Sequence, residues 1–269
     1  MIDIHTHLHP ERLALAIRRW FRENSNWDLK HPFDKESVVD VLRSNNVERF
    51  VFCSYAHKPG IARSINLWLA QTARAIDRYG LPLFTVHLDD PNFLDDAKRA
   101  IDDGCIGLKV HEDVQSLQIN DPRFEEVFVE IEKIGGFVLA HMGPVPWRLE
   151  PEVGVHRVEQ VLAKHPKLNL VLAHMGTPDT QKYLDILGQN EGLYLDTTMA
   201  FTNVNGLSHV LDVDAIERNS AKILFGTDYP NIPYVYDFEP NVLKSLGLSD
   251  DALRAILGEN ARLLLKPFL

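Results

Sequence analysis

The chain has 269 residues, 45% of them apolar and 25% charged, a balance that supports a large buried core and excludes extensive disorder. Its 38 acidic residues against 28 basic give a formal charge of −10, which sets the mean field against nucleic acid and anionic membranes. No apolar run approaches the roughly eighteen residues of a membrane span and no leader pattern precedes Ile2, so a soluble cytoplasmic protein is expected.

Short runs rich in Val, Ile, Leu and Phe alternate along the chain with longer amphipathic segments, the pattern of parallel strands buried on both faces and joined by helices. The strand candidates are residues 1–6, 49–55, 83–88, 105–110, 136–141, 169–174, 193–197 and 222–227. Segments 61–79, 121–134 and 155–165 repeat apolar residues at three- and four-residue steps and read as crossover helices. Gly80 and Gly135 punctuate connections, while Pro91, Pro122 and Pro178 stand near helix starts. Residues 249–265 read as a last helix, capped by Ser249 and begun by Asp250 and Asp251 at the positive end of its dipole. Eight consecutive strand and helix units predict an α/β fold, a closed (β/α)8 TIM barrel over residues 1–269 as one domain; closure leaves no parallel edge strand exposed. No GxGxxG or GxxxxGK[ST] follows any strand, which removes the usual nucleotide-binding marker.

The polar residues gather where strands end. His5 and His7 share one side of the first strand by alternation, and Asp3 is expected on that side too, deeper in the barrel and supporting them. Strand five ends Leu-Ala-His141-Met-Gly and strand six repeats it as Leu-Ala-His174-Met-Gly, so the two histidines are expected at equivalent places. Lys109 ends strand four, and Phe-Gly-Thr-Asp228 ends strand eight. Catalytic groups of such barrels lie at the C-terminal strand ends, so these six side chains should converge on one mouth. Buried imidazoles and charges cost several kcal/mol unless paired or metal-bound, which favours a metal site over a merely polar rim. His111 and His57 are expected at the surface or rim, and His9 in an exposed loop. His87, near the end of strand three, is a candidate to face the substrate. Cys53 and Cys105, both in apolar runs, read as reduced core residues.

With DIHTH at the start, GLKVH in strand four, the two histidine strands, FGTDYP at strand eight and ILGENARLLL at the end, the chain resembles the amidohydrolase superfamily nearly from end to end. Within it the resemblance is to the amidohydrolase-2 branch, which includes aminocarboxymuconate-semialdehyde decarboxylases. The resemblance implies that His5, His7, His141 and Asp228 hold a divalent metal, usually zinc, with His174 as a nearby catalytic group. Imidazole and carboxylate also suit manganese or iron. One ion is the expectation, and Lys109 then meets a substrate carboxylate. Two ions bridged by a carboxylated Lys109, as in binuclear members of the superfamily, is the alternative.

A divalent ion lowers the pKa of water from about 15.7 to near 7, so the expected activity is hydrolysis of an amide, lactone or ester of a small molecule, carboxylated or not, with Asp228 as base and His174 as proton donor. Decarboxylation in the same branch uses a similar site and is the alternative. A TatD-like metal-dependent nuclease is the second; it would carry a glutamate where Lys109 stands. After strand five, Trp147 and Arg148 are candidates for walling the substrate and clamping its carboxylate. A small-molecule substrate, no nucleic acid or membrane partner, and a possible homo-oligomer complete the expectations.

Overall fold

In the computed structural model, residues 1–25, 27–143, 154–202 and 212–269 are described. Eight strands run in parallel: β1 (Ile2–His7), β2 (Arg49–Cys53), β3 (Gly80–Phe84), β4 (Gly107–His111), β5 (Phe137–His141), β6 (Asn169–Leu172), β7 (Leu193–Asp196) and β8 (Ile223–Leu224). Each pairs with the next in chain order. β8 returns to β1 through Ile4 N to Phe225 O at 2.9 Å and His7 N to Tyr229 O at 2.7 Å, which closes the expected barrel.

The third strand begins three residues before its expected start. Gly80, read as a connection, is its first residue because the ring of Phe50 lies where a side chain would project; a Cβ there would meet Phe50 Cζ at 2.4 Å. After Phe84 the backbone leaves the ladder: Thr85 N donates to Asn66 Oδ1 at 2.9 Å, and residues 85–88 are irregular.

Strand β1 breaks the alternation on which the sequence reading rested. Asp3 pairs with Phe50 and Thr6 with Phe52, so β1 carries one more residue than β2 between these pairs. That bulge turns Ile4 and His5 both inward, since a bulge shifts the side-chain parity beyond it. Below it, Ile2 and Ile4 join Val51, Leu83, Leu139, Val171 and Leu224 in the barrel's apolar filling. Above it, His5 and His7 face the mouth. Asp3 therefore lies on the opposite side from His5, a correction to its expected place, where its Oδ2 accepts from Thr227 Oγ1 at 2.7 Å and Tyr236 OH at 3.0 Å. It still supports His5, through the backbone: Oδ1 accepts His5 N at 3.1 Å.

The crossover helices include Ala62–Ala75, Glu125–Ile134 and Val155–Lys164, the second entered through a turn with Pro122 at its start and left through Gly135 at φ 66°. The last helical segment, 250–264, starts at the expected cap, where Ser249 Oγ accepts from Ala252 N at 3.2 Å. Its Ala261, Leu264 and neighbouring Leu265 close the floor of the barrel interior. Burying each such leucine contributes about 1.5–3 kcal/mol. At the other end, the helix Glu11–Asn24 and the segment after it form a cover: Trp27, Leu29 and Phe33 pack together beside Met199, and Trp27 Nε1 donates to Asn231 O at 2.7 Å. No helix of the described residues is long and apolar enough to cross a membrane.

Candidate metal centre

The expected residues do meet at one mouth, though from less regular positions than their spacing suggests. His5 and His7 close β1, His141 ends β5, and Lys109 and His111 end β4. His174 is not the counterpart of His141. β6 stops at Leu172, and in the turn Ala173–Gly176 His174 and Met175 take φ of 57° and 54°. Left-handed backbone is unfavourable for non-glycine residues. Asp196, at the end of β7, holds it: its Oδ1 accepts His174 N at 2.8 Å and Thr198 N at 3.1 Å. Asp228 is likewise left-handed at φ 63°, and its backbone N donates to His5 O at 2.7 Å.

Hydrogen-bond partners set the tautomers. The carbonyl oxygen of Thr198 can only accept, so His174 Nδ1, 3.1 Å away, carries the hydrogen. Neutral His174 then accepts at Nε2, and His141 donates to it from Nδ1 at 3.0 Å. This leaves a lone pair on His141 Nε2, which is buried and has no hydrogen-bond partner among the described residues. The same logic holds at His5. Asp196 Oδ2 accepts from its Nδ1 at 2.8 Å, so the Nε2 lone pair faces the mouth and takes a hydrogen bond from Lys109 Nζ at 3.0 Å. His7 turns Nδ1 to Cys53 Sγ at 3.5 Å and Nε2 to Asp228 Oδ1 at 2.6 Å; that oxygen is also 3.5 Å from His5 Nε2.

Burial opposes charge on His7, but Cys53 and Asp228 beside it outweigh burial and raise its pKa to about 9. Burial likewise pushes the Asp228 carboxyl up, yet His7, with His5 and His174, holds it well below the usual carboxylate range. His5 is lowered to about 4 by burial and by the Lys109 ammonium, against the pull of Asp196. Burial also lowers His141 and His174.

This donor set fits a divalent ion. His5 and His7 turn Nε2 to the Asp228 carboxylate at 3.5 and 2.6 Å, and His141 Nε2 is buried with its lone pair unpaired among the described residues. The Lys109 ammonium and the proton shared by His7 and Asp228 bring positive charge to lone pairs such an ion would use. His5, His7 and Cys53 also offer ligand atoms within 4.8 Å of one another. The thiol of Cys53 reaches the Nδ1 side of His7, away from Asp228. A ligating histidine ordinarily gives its other ring N–H to an acceptor, the role Asp196 fills for His5 and Cys53 for His7.

Several residues here escaped the sequence reading. His111 and His9, expected at the surface, are buried: His111 stacks on His141 at 4.0 Å and 9°, and His9 on His7 at 5.5 Å and 21°. Tyr55 meets His111 edge-on at 5.4 Å. Cys53 and Cys105 are buried and free, as expected, but Cys53 also touches the site. Asp196 and Thr198 were not singled out; the signal was a run of polar residues ending a buried strand. Gly226 leaves room for their approach, since a Cβ there would lie 2.8 Å from Thr198 Oγ1 and 2.9 Å from His5 Cβ. Trp147 and Arg148 lie outside the described residues.

A parallel barrel with imidazoles, a lysine and a carboxylate converging at its C-terminal mouth is the architecture of a barrel enzyme. The amidohydrolase family's sequence profile matches residues 2–266, and the chain belongs to that family. It is 25% identical over 232 residues to the gamma-resorcylate decarboxylase of Rhizobium sp. (strain MTP-10005), covering 66% of this chain and 68% of the relative. In fold it is similar to 5-carboxyvanillate decarboxylase from Sphingomonas paucimobilis, with TM-score 0.69, 17% identity, and 99% and 98% of the two chains covered. It is also similar to a dihydroxybenzoic acid decarboxylase from Polaromonas sp. JS666, solved with bound manganese and the inhibitor 2-nitroresorcinol, with TM-score 0.70, 18% identity, and 98% and 96% covered.

Proposed function

We propose that this chain is a metal-dependent decarboxylase of a small hydroxylated aromatic acid, releasing CO2 without an oxidant. Lys109 carries the reading. It is 1% exposed, its hydrogen-bond partner among the described residues is the imidazole of His5, and no described carboxylate pairs with it. A buried cation with no carboxylate in contact costs several kcal/mol, and a substrate carboxylate would provide that contact. The relatives named for acting on carboxylated aromatic rings support the same choice over the hydrolysis expected from the sequence.

His5, His7, His141 and Asp228 are the residues that would hold one divalent ion, and zinc and manganese both suit them. When bound, the ion supplies a Lewis acid for the substrate's oxygens. Lys109 orients the carboxylate by N–H donation, and Tyr55 and His111 wall the ring. As the ring–carboxylate bond breaks, its electron pair stays on the ring carbon, CO2 leaves and the carbon takes one proton. The proton comes from solvent, and we assign its delivery to His174: with Nδ1–H anchored on the Thr198 carbonyl, Nε2, once released from the His141 N–H, would take up that proton and pass it to the ring carbon. Trp147 and Arg148 are proposed as further contacts to the ring and its carboxylate.

Hydrolysis of a lactone or amide is the second reading, favoured by the position of Asp228: its carboxylate stands 2.6 Å from His7 and 3.5 Å from His5, where it would meet an attacking water held at the same place. The two are separated by incubating manganese- and zinc-loaded protein with gamma-resorcylate in D2O, and in parallel with a lactone panel. One CO2 per ring, with one deuterium in the aromatic product and no oxygen uptake, is the expected result. Lactone opening without CO2 from any hydroxybenzoate would replace it with the second reading.

A further inference from the structure

Just past the proposed metal ligands, His9 is a buried imidazole that the mechanism above does not use. It is 3% exposed, and its ring lies between His7 at 5.5 Å, Phe33 of the cover at 6.1 Å and Tyr55 at 6.2 Å. It thus forms the wall between the metal end of the mouth and its cover. Ser54 Oγ occupies Nδ1 at 2.9 Å. Nε2 is buried and has no hydrogen-bond partner among the described residues. Buried polar atoms in folded proteins are nearly always paired, so an unpaired one on a ring stacked against His7 of the proposed site calls for a partner atom.

The chemistry of the pair restricts that atom. The Ser54 hydroxyl can donate to Nδ1 or accept from it, so Nε2 of neutral His9 is a donor in one case and an acceptor in the other. A hydroxyl group satisfies both, because it donates and accepts; a carboxylate oxygen satisfies only one. Lys109 already answers the carboxylate. The geometry points to a hydroxyl subsite at His9 Nε2, held in place by Ser54, which selects aromatic acids bearing a second ring hydroxyl. This inference rests on the aromatic-acid reading above and adds to it a specificity-determining residue.

The test uses the products rather than turnover. Binding of resorcinol and of phenol to the metal-loaded protein is measured by calorimetry for the wild type, His9→Leu and His9→Gln, with thermal melts to verify folding. The wild type should prefer resorcinol by roughly tenfold, the factor expected of one hydrogen bond to a buried group. His9→Leu should bring the ratio close to one while phenol affinity changes little, and His9→Gln should restore part of it. If His9→Leu does not fold, Ser54→Ala, which frees the ring, should still lower the ratio. A wild type that binds both rings equally, or a preference that survives in the His9 and Ser54 variants, overturns the subsite and leaves the decarboxylase reading intact; a water molecule would then be the partner of Nε2. A wild type that binds neither ring overturns both.

Discussion

Asp196 Oδ2 accepts from His5 Nδ1 at 2.8 Å, and the other oxygen of the same carboxylate accepts the backbone N–H of His174 at 2.8 Å. One buried side chain thereby fixes the tautomer of a proposed metal ligand and the left-handed turn that presents the proposed proton donor. His5 pulls the Asp196 carboxyl below its usual range against the effect of burial, so the clamp is ionised at neutral pH. Asp196→Ala should weaken metal binding roughly 10- to 100-fold, the usual cost of losing an acceptor behind a ligating histidine. It should also lower stability by about 1–3 kcal/mol by stranding the His174 N–H. Competition with a chromogenic chelator reads the first effect and urea unfolding the second. Wild-type affinity in the variant would mean that Asp196 does not govern His5.

The pairing of His7 with Asp228 makes metal binding a proton-releasing event. With the His7 pKa raised to about 9, the pair carries a proton at neutral pH that an ion using Nε2 must displace. The proton is lost on binding, so affinity rises with pH, about tenfold per unit while one proton is released, and levels off above pH about 9. Calorimetric titration of the chelator-stripped protein in two buffers of different ionisation enthalpy, near neutral pH, should show release of about one proton per ion. No release would remove His7 Nε2 from the ligand set.

Lys109 Nζ stands 3.0 Å from His5 Nε2, the nitrogen the proposed ion would use, so the two would compete for it, while Lys109 would attract the carboxylate of the proposed substrate. Lys109→Met should therefore separate two quantities that a structural role would not. KM for a carboxylated substrate should rise roughly 10- to 100-fold, the loss of a charge-assisted hydrogen bond. Metal affinity should stay the same or increase, because no ammonium opposes the ion. A fall in metal affinity of tenfold or more would instead make Lys109 part of the metal site, as in the bridged two-ion alternative.

The barrel was legible because eight apolar runs alternate with amphipathic segments, and that pattern directly reflects burial. The site was legible in part because His5, His7, Lys109, His141 and Asp228 end runs whose residue types mark them as strands. What failed was local. A β-bulge leaves no mark on composition, so Asp3 was assigned to the wrong side of β1. The repeated Leu-Ala-His-Met-Gly made His174 look equivalent to His141, although a carboxylate 22 residues further along bends the second copy into a turn. Asp196, His9 and His111 matter through what packs against them, which a linear pattern does not contain.

Glu239 gives a test of the shell around the site that is independent of metal. It is buried; Oε1 accepts from Tyr234 OH at 2.6 Å and Oε2 from the backbone N of Met199 at 3.1 Å, the residue after Thr198 and itself left-handed at φ 57°. Burial raises the Glu239 pKa well above its usual value, with Asp3 and Asp196 adding to the rise and the bonds from Tyr234 and Met199 opposing it. The folded chain therefore keeps a proton that the unfolded chain releases above pH about 4.3. Its stabilising contribution is complete below that pH and is lost as pH rises through the folded-state pKa. Glu239→Gln keeps the shape and removes the titration. Its amide can donate to the Tyr234 oxygen and its carbonyl can accept from Met199, so the left-handed residue beside Thr198 stays in place. Between about pH 5 and pH 8 the melting temperature of the variant should fall less than that of the wild type, and near the upper end it should equal or exceed it. Parallel curves would show that Glu239 is ionised throughout, with its charge balanced by the hydrogen bonds from Tyr234 and Met199.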